Sequence, residues 1–297
     1  MKKFISLLLL SLLVCGMAFC TGCSKEESTS SQPEAEKQKI RIASYNIAHV
    51  GQYNFTKENY DELANIINSQ NLDIVGVQEA VCGIFGKGKP DERFTDSLAE
   101  LAARTGHEYA YYLGWEDASN TGWGILSKYP IKNIDQGTLK NAPIKSISAV
   151  GDHFYNENEK NTVPNLSFST KAGGDVVEFD VNGKTVNFWV THTAPKKYET
   201  AFGHITAEEE NFIMVGDFNN PAYTDLTDFV LSNGKTLGSN MSLVNNDNNK
   251  LITFPRDQKF MDNILYTDDF NLLSSGVVEN DKGVSDHYLI WAEFEIK

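Results

Sequence analysis

Cysteine is scarce in this chain: 297 residues hold 4. Cys15 and Cys20 fall inside an apolar leader and Cys23 closes it, so Cys82 alone serves the body of the protein. No intrachain disulfide can form there, and the fold must hold by its core. Positive charge is also short, with 26 Lys and Arg against 40 Asp and Glu and a formal charge of −14. Removing residues 1–22 takes away Lys2 and Lys3 and no acid, giving −16. That balance excludes the broad basic face of a tight nucleic-acid binder, although local basic groups can still serve a site. The leader's apolar core, Phe4–Val14, is 11 residues long, too short to span a bilayer comfortably. There is no internal repeat.

What is present begins with Met1-Lys2-Lys3, that apolar core, and a small-residue exit at Cys20-Thr21-Gly22-Cys23. This is the grammar of a secretory signal over residues 1–22. Cys23 after Gly22 resembles the lipidation cysteine of a bacterial lipoprotein, with Cys20 standing where Leu is usual. Residues 23–38 are polar, without apolar periodicity, and read as a disordered tether. Lys25-Glu26-Glu27 looks like a surface-export signal. The expected address is therefore the bacterial cell envelope, lipid-anchored at the outer membrane and exposed at its surface. Residues 39–297 read as one domain.

Within that domain, Ile40, Ile42 and Ser44 alternate in a strand that ends at Asn46. Thr56 can cap a helix whose inner face is Tyr60, Leu63, Ala64 and Ile67. "LDIVGVQEA" (72–80) is a buried strand delivering Glu79 at its end, and residues 93–106 predict a second amphipathic helix stopped at Gly106. The chain then turns β-rich. Val177, Phe179 and Val181 alternate up to Asn182-Gly183, and Val186, Phe188 and Val190 alternate after it, which is a hairpin signal. The second arm ends at His192. Further strands are expected at Phe212–Gly216, at 260–266 and from His287 to Ile296, with a short helix near Leu226–Leu231. Residues 151–170 and 234–250 read as loops. Two early helices among many strands predict an α+β fold of two packed sheets with helices outside.

Asn46, Glu79, His192, Asp217, Asn219, Asp262, Asp286 and His287 all stand at or beside the ends of apolar strands. Taken singly, each has a bland reading: Asn or Asp after a strand is usually a turn residue, and a lone His is usually a satisfied one. Jointly they predict one cleft on a solvent-facing rim. In "MVGDFNN" (214–220), Asp217 and Asn219 are expected to alternate along the strand end while Phe218 points into the core.

The ordered motifs "ASYNI", "VGVQEA", "GWGILSKYPI", "VTHT", "VGDFNNP", "MDNILY" and "SDHYLIWAEF" resemble the endonuclease/exonuclease/phosphatase superfamily over essentially residues 39–297. The resemblance implies a four-layer αββα sandwich of two mainly antiparallel sheets, a divalent metal and hydrolysis of a phosphoester. It implies Glu79 as principal metal ligand with Asn46 close by and Asp286 on the same side. The ion is usually Mg²⁺, with Mn²⁺ or Ca²⁺ as substitutes, and oxygen donors suit such hard cations. It further implies Asp217 orienting or deprotonating the attacking water, and Asn219 bonding phosphate or nucleophile. His287 would contact phosphate or move a proton, Asp262 would orient its imidazole, and His192 would be the second histidine.

Departures from the family pattern leave the substrate open. Phe260, beside Lys259, stands where relatives carry Arg, and "TAPKKYET" follows His192. Lys196 and Lys197 read equally as polyanion grips or solvated charges. The "VCGIFGKGKP" loop after Glu79 suits lipid contact or simple packing. His49 reads as structural, and Asn120 is a weaker site candidate. The favoured function is an extracytoplasmic phosphodiesterase of nuclease or phospholipid/sphingomyelin type, acting as a monomer on nucleic acid or a phospholipid headgroup. The alternatives are a phosphomonoesterase of inositol-phosphate type and a catalytically silent surface-binding lipoprotein.

Overall fold

Along Lys39–Asn46, Ile40 and Ile42 face one way and Ala43 and Tyr45 the other, and none is exposed to solvent. A strand apolar on both faces needs a layer on each side. The computed structural model supplies both. It describes residues 37–48, 55–81, 84–85, 89–90, 97–114, 121–135, 146–148, 154–156, 169–171, 176–192, 210–219 and 241–297.

In chain order the elements are β1 Lys39–Asn46, α1 Lys57–Asn68, β2 Ile74–Val81, β3 Ile84–Phe85, β4 Lys89–Pro90 and α2 Ser97–Thr105. Then come β5 Tyr109–Gly114, β6 Thr121–Ser127, β7 Ile131–Asp135, β8 Ser146–Ser148, β9 Phe154–Asn156 and β10 Ser169–Lys171. The hairpin β11 Val176–Val181 and β12 Lys184–His192 precedes β13 Phe212–Asp217, β14 Met241–Leu243, β15 Asp262–Thr267, β16 Phe270–Val278 and β17 Leu289–Ile296.

One sheet runs β16-β17-β1-β2-β6-β5-β9 and the other β14-β15-β13-β12-β11-β7. Each is antiparallel except for one internal parallel pair, β1 with β2 and β12 with β13. The inner faces pack on each other through Ile42, Ile74, Phe179, Phe188, Val190, Val215 and Phe294. On the outer face of the first sheet, Tyr60, Leu63, Leu98 and Leu101 from α1 and α2 cover Tyr45, Val75 and Val77. Thr56 caps α1 as expected, in a reciprocal box with Asn59. The two-sheet sandwich is the expected fold. Among the described residues the helices cover the first sheet; the short helix expected near 226–231 and the start of the second expected helix, residues 93–96, lie outside them.

Two expectations change. The segments 151–170 and 234–250 contain β9, the start of β10 and β14, strands too short for alternation to reveal them; in β14 only Met241 and Leu243 are buried. The last strand starts at Leu289 because the His287 and Tyr288 amides donate outside the ladder, to Ser285 Oγ and the Thr253 carbonyl.

Gly76 lets the sheets meet. A Cβ there would lie 2.2 Å from Val215 Cγ2 and 2.9 Å from Val190 Cγ2, across the inter-sheet core. Gly76→Ala should therefore cost about 1–3 kcal/mol through overpacking. Urea unfolding checks this, and an unchanged midpoint would show that the sheets are less tightly apposed.

Candidate active site

The parallel strands β1, β2, β12 and β13 deliver their C-terminal ends to the same rim at which antiparallel β15 and β17 begin. His192, Asp217 and Asp262 lie in register across three adjacent strands. Two residues earlier or later on the same faces stand Val190, Val215 and Ile264, all in the inter-sheet core. The site is thus the polar top of that core. Asp217 (1 % exposed), Asp262 (0 %) and His287 (5 %) are buried there, so the rim is not solvent-facing at these residues.

Glu79 reaches this face by a bulge. Val75, Val77 and Ala80 face the helices, and simple alternation would send Glu79 with them. Pairing with β6 instead shifts between Gln78 and Ala80, and Glu79 adopts φ 56°. The extra residue turns its carboxylate into the cleft, the re-aiming that bulges next to active sites provide.

Asn46 ties the two sheets together. Its Nδ2 donates to Glu79 Oε1 at 3.2 Å and to Asp217 Oδ2 at 3.0 Å, while Oδ1 accepts from the Ala48 amide at 2.9 Å. Ser285 Oγ donates to the Asn46 carbonyl at 2.7 Å and accepts from the His287 amide at 3.0 Å, stitching β1 to the start of β17. His192 Nε2 lies 3.4 Å from Asp217 Oδ2 and 3.7 Å from Glu79 Oε1. His287 Nδ1 is 2.8 Å from Asp262 Oδ2, and its Nε2 is 3.6 Å from Asp217 Oδ2.

Five expected residues therefore converge with Asp262 behind them: Asn46, Glu79, His192, Asp217 and His287. Asp286 stands further out, its side chain 57 % exposed and Oδ1 4.0 Å from His287 Nε2. Asn219 departs from the expected alternation. The strand ends at Asp217, and Asn219 is exposed at φ 51°, its backbone amide donating to Asp217 Oδ1 at 2.8 Å. That is an Asx turn, in which Asn tolerates the left-handed conformation. Phe218 is buried, as expected. What Gly216 admits is a neighbouring strand: a Cβ would meet the Thr191 carbonyl at 2.4 Å. His49, Asn120, Lys196 and Lys197 lie outside the described residues, and of the 81–90 loop only Val81, at the end of β2, and the β3–β4 ribbon are described. Ser285, Thr253 and Phe254 were not legible as site residues, because they act through backbone bonds and a ring contact that no spacing encodes.

Burial pushes the Asp217 carboxyl up, but the contact with His192, the charge of His287 and the Asn219 amide together hold it below the ordinary carboxylate range. Burial likewise pushes the His287 imidazole down, yet Asp262, Asp217 and Asp286 outweigh it and raise its pKa to about 9. Asp262 and His287 act as one pair: burial raises the Asp262 carboxyl while His287 draws it down, and with the shared proton held on the imidazole the pair faces an ionised Asp217 at neutral pH.

Asp217, Asp262 and His287 present ligand atoms within 4.8 Å of one another. His287 and Asp262 are spent on each other, however, and Asp262 is fully buried, so this trio suits a fixed set of hydrogen-bonded charges better than a hydrated cation. Glu79 and Asp217 converge on one amide nitrogen of Asn46, and carboxylate oxygens of this kind suit a hard divalent ion. Glu79, its side chain 21 % exposed, is the donor open to water.

A sandwich of two mixed sheets with acids and histidines gathered at one rim defines a class. Residues 43–287 match the Endonuclease/Exonuclease/phosphatase family, and the chain belongs to it. Family members are typically metal-dependent phosphoester hydrolases. The fold is similar to that of an endonuclease/exonuclease/phosphatase from Beutenbergia cavernae, at 16 % identity and TM-score 0.57, covering 88 % of this chain and 72 % of that one. A family protein from Leptotrichia buccalis is 18 % identical, with TM-score 0.57 and coverage of 87 % and 99 %. TDP2 from Caenorhabditis elegans is 15 % identical, with TM-score 0.52 and coverage of 87 % and 74 %. No curated protein matches the chain.

The raised pKa of His287 makes a stability prediction. The folded state keeps a proton that an unfolded imidazole releases near pH 6.5, so this stabilisation is complete below about 6.5 and is lost as pH rises through about 9. With chelator present, the unfolding free energy should fall by about 1–3 kcal/mol between pH 6.5 and 9.5. His287→Asn should flatten that slope, and a parent protein equally stable across the window would contradict the ion pair.

Proposed function

We infer that this protein is an Mg²⁺-dependent phosphodiesterase. The observation that carries the reading is the convergence of Glu79, Asp217, His192 and His287 on one rim through Asn46. A phosphodiester is anionic and resists water, so its hydrolysis needs charge neutralised and a nucleophile positioned. Glu79 would hold the ion, with Asn46 and Asp286 beside it; the ion supplies neutralisation of phosphate charge.

The remaining roles follow from the chain's own charges. Asp217, held ionised, accepts a hydrogen bond from the attacking water and takes up its proton. His287, an imidazolium at neutrality, donates from Nε2 to a phosphate oxygen while Asp262 holds Nδ1. His192, beside both Asp217 and Glu79, serves the second phosphate oxygen or the leaving group. Asn219 contributes its backbone amide to Asp217, and its exposed side chain is available to substrate. The proposed substrates are nucleic acid or a phospholipid headgroup outside the cytoplasm, the latter supported by the lipoprotein-like Thr21-Gly22-Cys23 exit. Anchorage at Cys23 in the outer membrane is part of the same proposal.

The test is hydrolysis of DNA, RNA, sphingomyelin and bis(p-nitrophenyl) phosphate with Mg²⁺ or chelator, repeated with Glu79→Gln. The parent should turn over at least the aryl diester only with Mg²⁺. Glu79→Gln keeps the shape but loses the charge that offsets a dication, so turnover and Mg²⁺ affinity should fall together and excess Mg²⁺ should recover part of the rate. A parent inactive on all four substrates favours the silent binding protein. A Glu79→Gln variant with parental rate and metal titration removes Glu79 as ligand.

A further inference from the structure

Phe254 is half-buried, and among the described residues it belongs to neither apolar core. Its ring lies against the site instead, 5.0 Å from the His287 ring centroid at an interplanar angle of 62°. We propose that Phe254 is a positioning residue for His287, a phenyl wall that keeps the imidazole aimed at the reacting phosphate; this rests on the phosphodiesterase reading above.

The loop carrying Phe254 is built to hold it there. Phe254 and Lys259 exchange backbone hydrogen bonds at 3.0 and 3.1 Å, and Lys259 O also accepts from the Thr253 amide at 3.0 Å. Pro255 opens a 3₁₀ turn, and Gln258 closes it in the left-handed conformation at φ 55°. The base of this hairpin is bonded to the backbone of Asp262 and of Tyr288, the residue after His287. Thr253 Oγ accepts from the Asp262 amide at 2.9 Å, and the Thr253 carbonyl accepts from the Tyr288 amide at 2.7 Å. Phe254 is thus located relative to Asp262 on one side and to the residue after His287 on the other.

The imidazole needs such a wall. The outer torsion of histidine is soft, and one hydrogen bond at Nδ1 leaves the ring able to pivot about that contact. Asp217, facing Nε2 at 3.6 Å, attracts without fixing direction. An aromatic ring 5.0 Å away and inclined at 62° to the imidazole blocks the pivot. Leucine at this position would lack the flat ring that meets the imidazole.

The experiment compares the parent chain with Phe254→Leu, which keeps apolar bulk, and Phe254→Tyr, which keeps the ring. Hydrolysis of bis(p-nitrophenyl) phosphate with Mg²⁺ is measured alongside the proton NMR signal of His287 Nδ1–H. Phe254→Leu should lower kcat by roughly 10- to 100-fold, the scale of a small misalignment, with KM nearly unchanged. Phe254→Tyr should restore most of the rate. The Nδ1–H signal should be sharp in the parent and Phe254→Tyr and exchange-broadened in Phe254→Leu. A parental kcat in Phe254→Leu, or equal losses in both variants, overturns the proposal. Should the parent hydrolyse nothing, the phosphodiesterase reading fails by itself, and the NMR signal alone decides: broadening confined to Phe254→Leu supports the positioning role, and an unchanged signal refutes it.

Discussion

Two carboxylates, Asp217 and Asp262, sit at the top of an apolar core with almost no access to water. Burying an ion costs several kcal/mol after relaxation, unless opposite charge and hydrogen bonds replace the lost solvent. Here the replacement is the His287 imidazolium between the two acids, with the Asn46 amide and His192 closing the remaining side of Asp217. Those partners come from β1, β12 and the segment before β17, on two different sheets. The polar constellation is therefore one of the places where the sandwich is fixed, and a sheet displaced by one residue would leave a buried charge uncompensated.

The same arrangement explains where backbone strain is spent. Glu79 and Asn219, both non-glycine residues with positive φ, flank the carboxylate Asp217 from opposite sheets. Conformations of that kind cost on the order of 1–3 kcal/mol and persist when surrounding contacts over-determine them. At Glu79 the result is a carboxylate in the cleft instead of under a helix. At Asn219 it is a backbone amide on Asp217. Strain is thus used to place one negative charge and to hold another.

Much of this was legible in the sequence because strand ends are marked by their residues. The apolar runs that become β1, β2, β12 and β13 stop at Asn46, Glu79, His192 and Asp217, and ordered motifs linked them to one fold. The Asp262–His287 pairing was legible only through family resemblance, since residues 25 apart carry no periodic signal. Three things were hidden. The bulge at Glu79 depends on pairing with β6; the Asx turn at Asn219 looks like continued alternation; and the ring contact of Phe254 requires a hairpin whose register no short pattern encodes. Burial was misjudged for a related reason: strand ends suggest a solvent-facing rim, whereas Asp217 and His287 are covered by each other and by Asn46.

Cooperation between Asp217 and His287 is the central claim, and a double-mutant cycle on the rate measures it. Asp217→Asn and His287→Ala should each lower kcat by about 10²–10⁴-fold with little change in KM. The double variant should fall well short of the product of the two losses, because groups that act as a unit are non-additive. Fully multiplicative losses would mean that the two residues act at separate sites, and single variants with near-parental kcat but lowered stability would mean that the cluster only holds the sheets together.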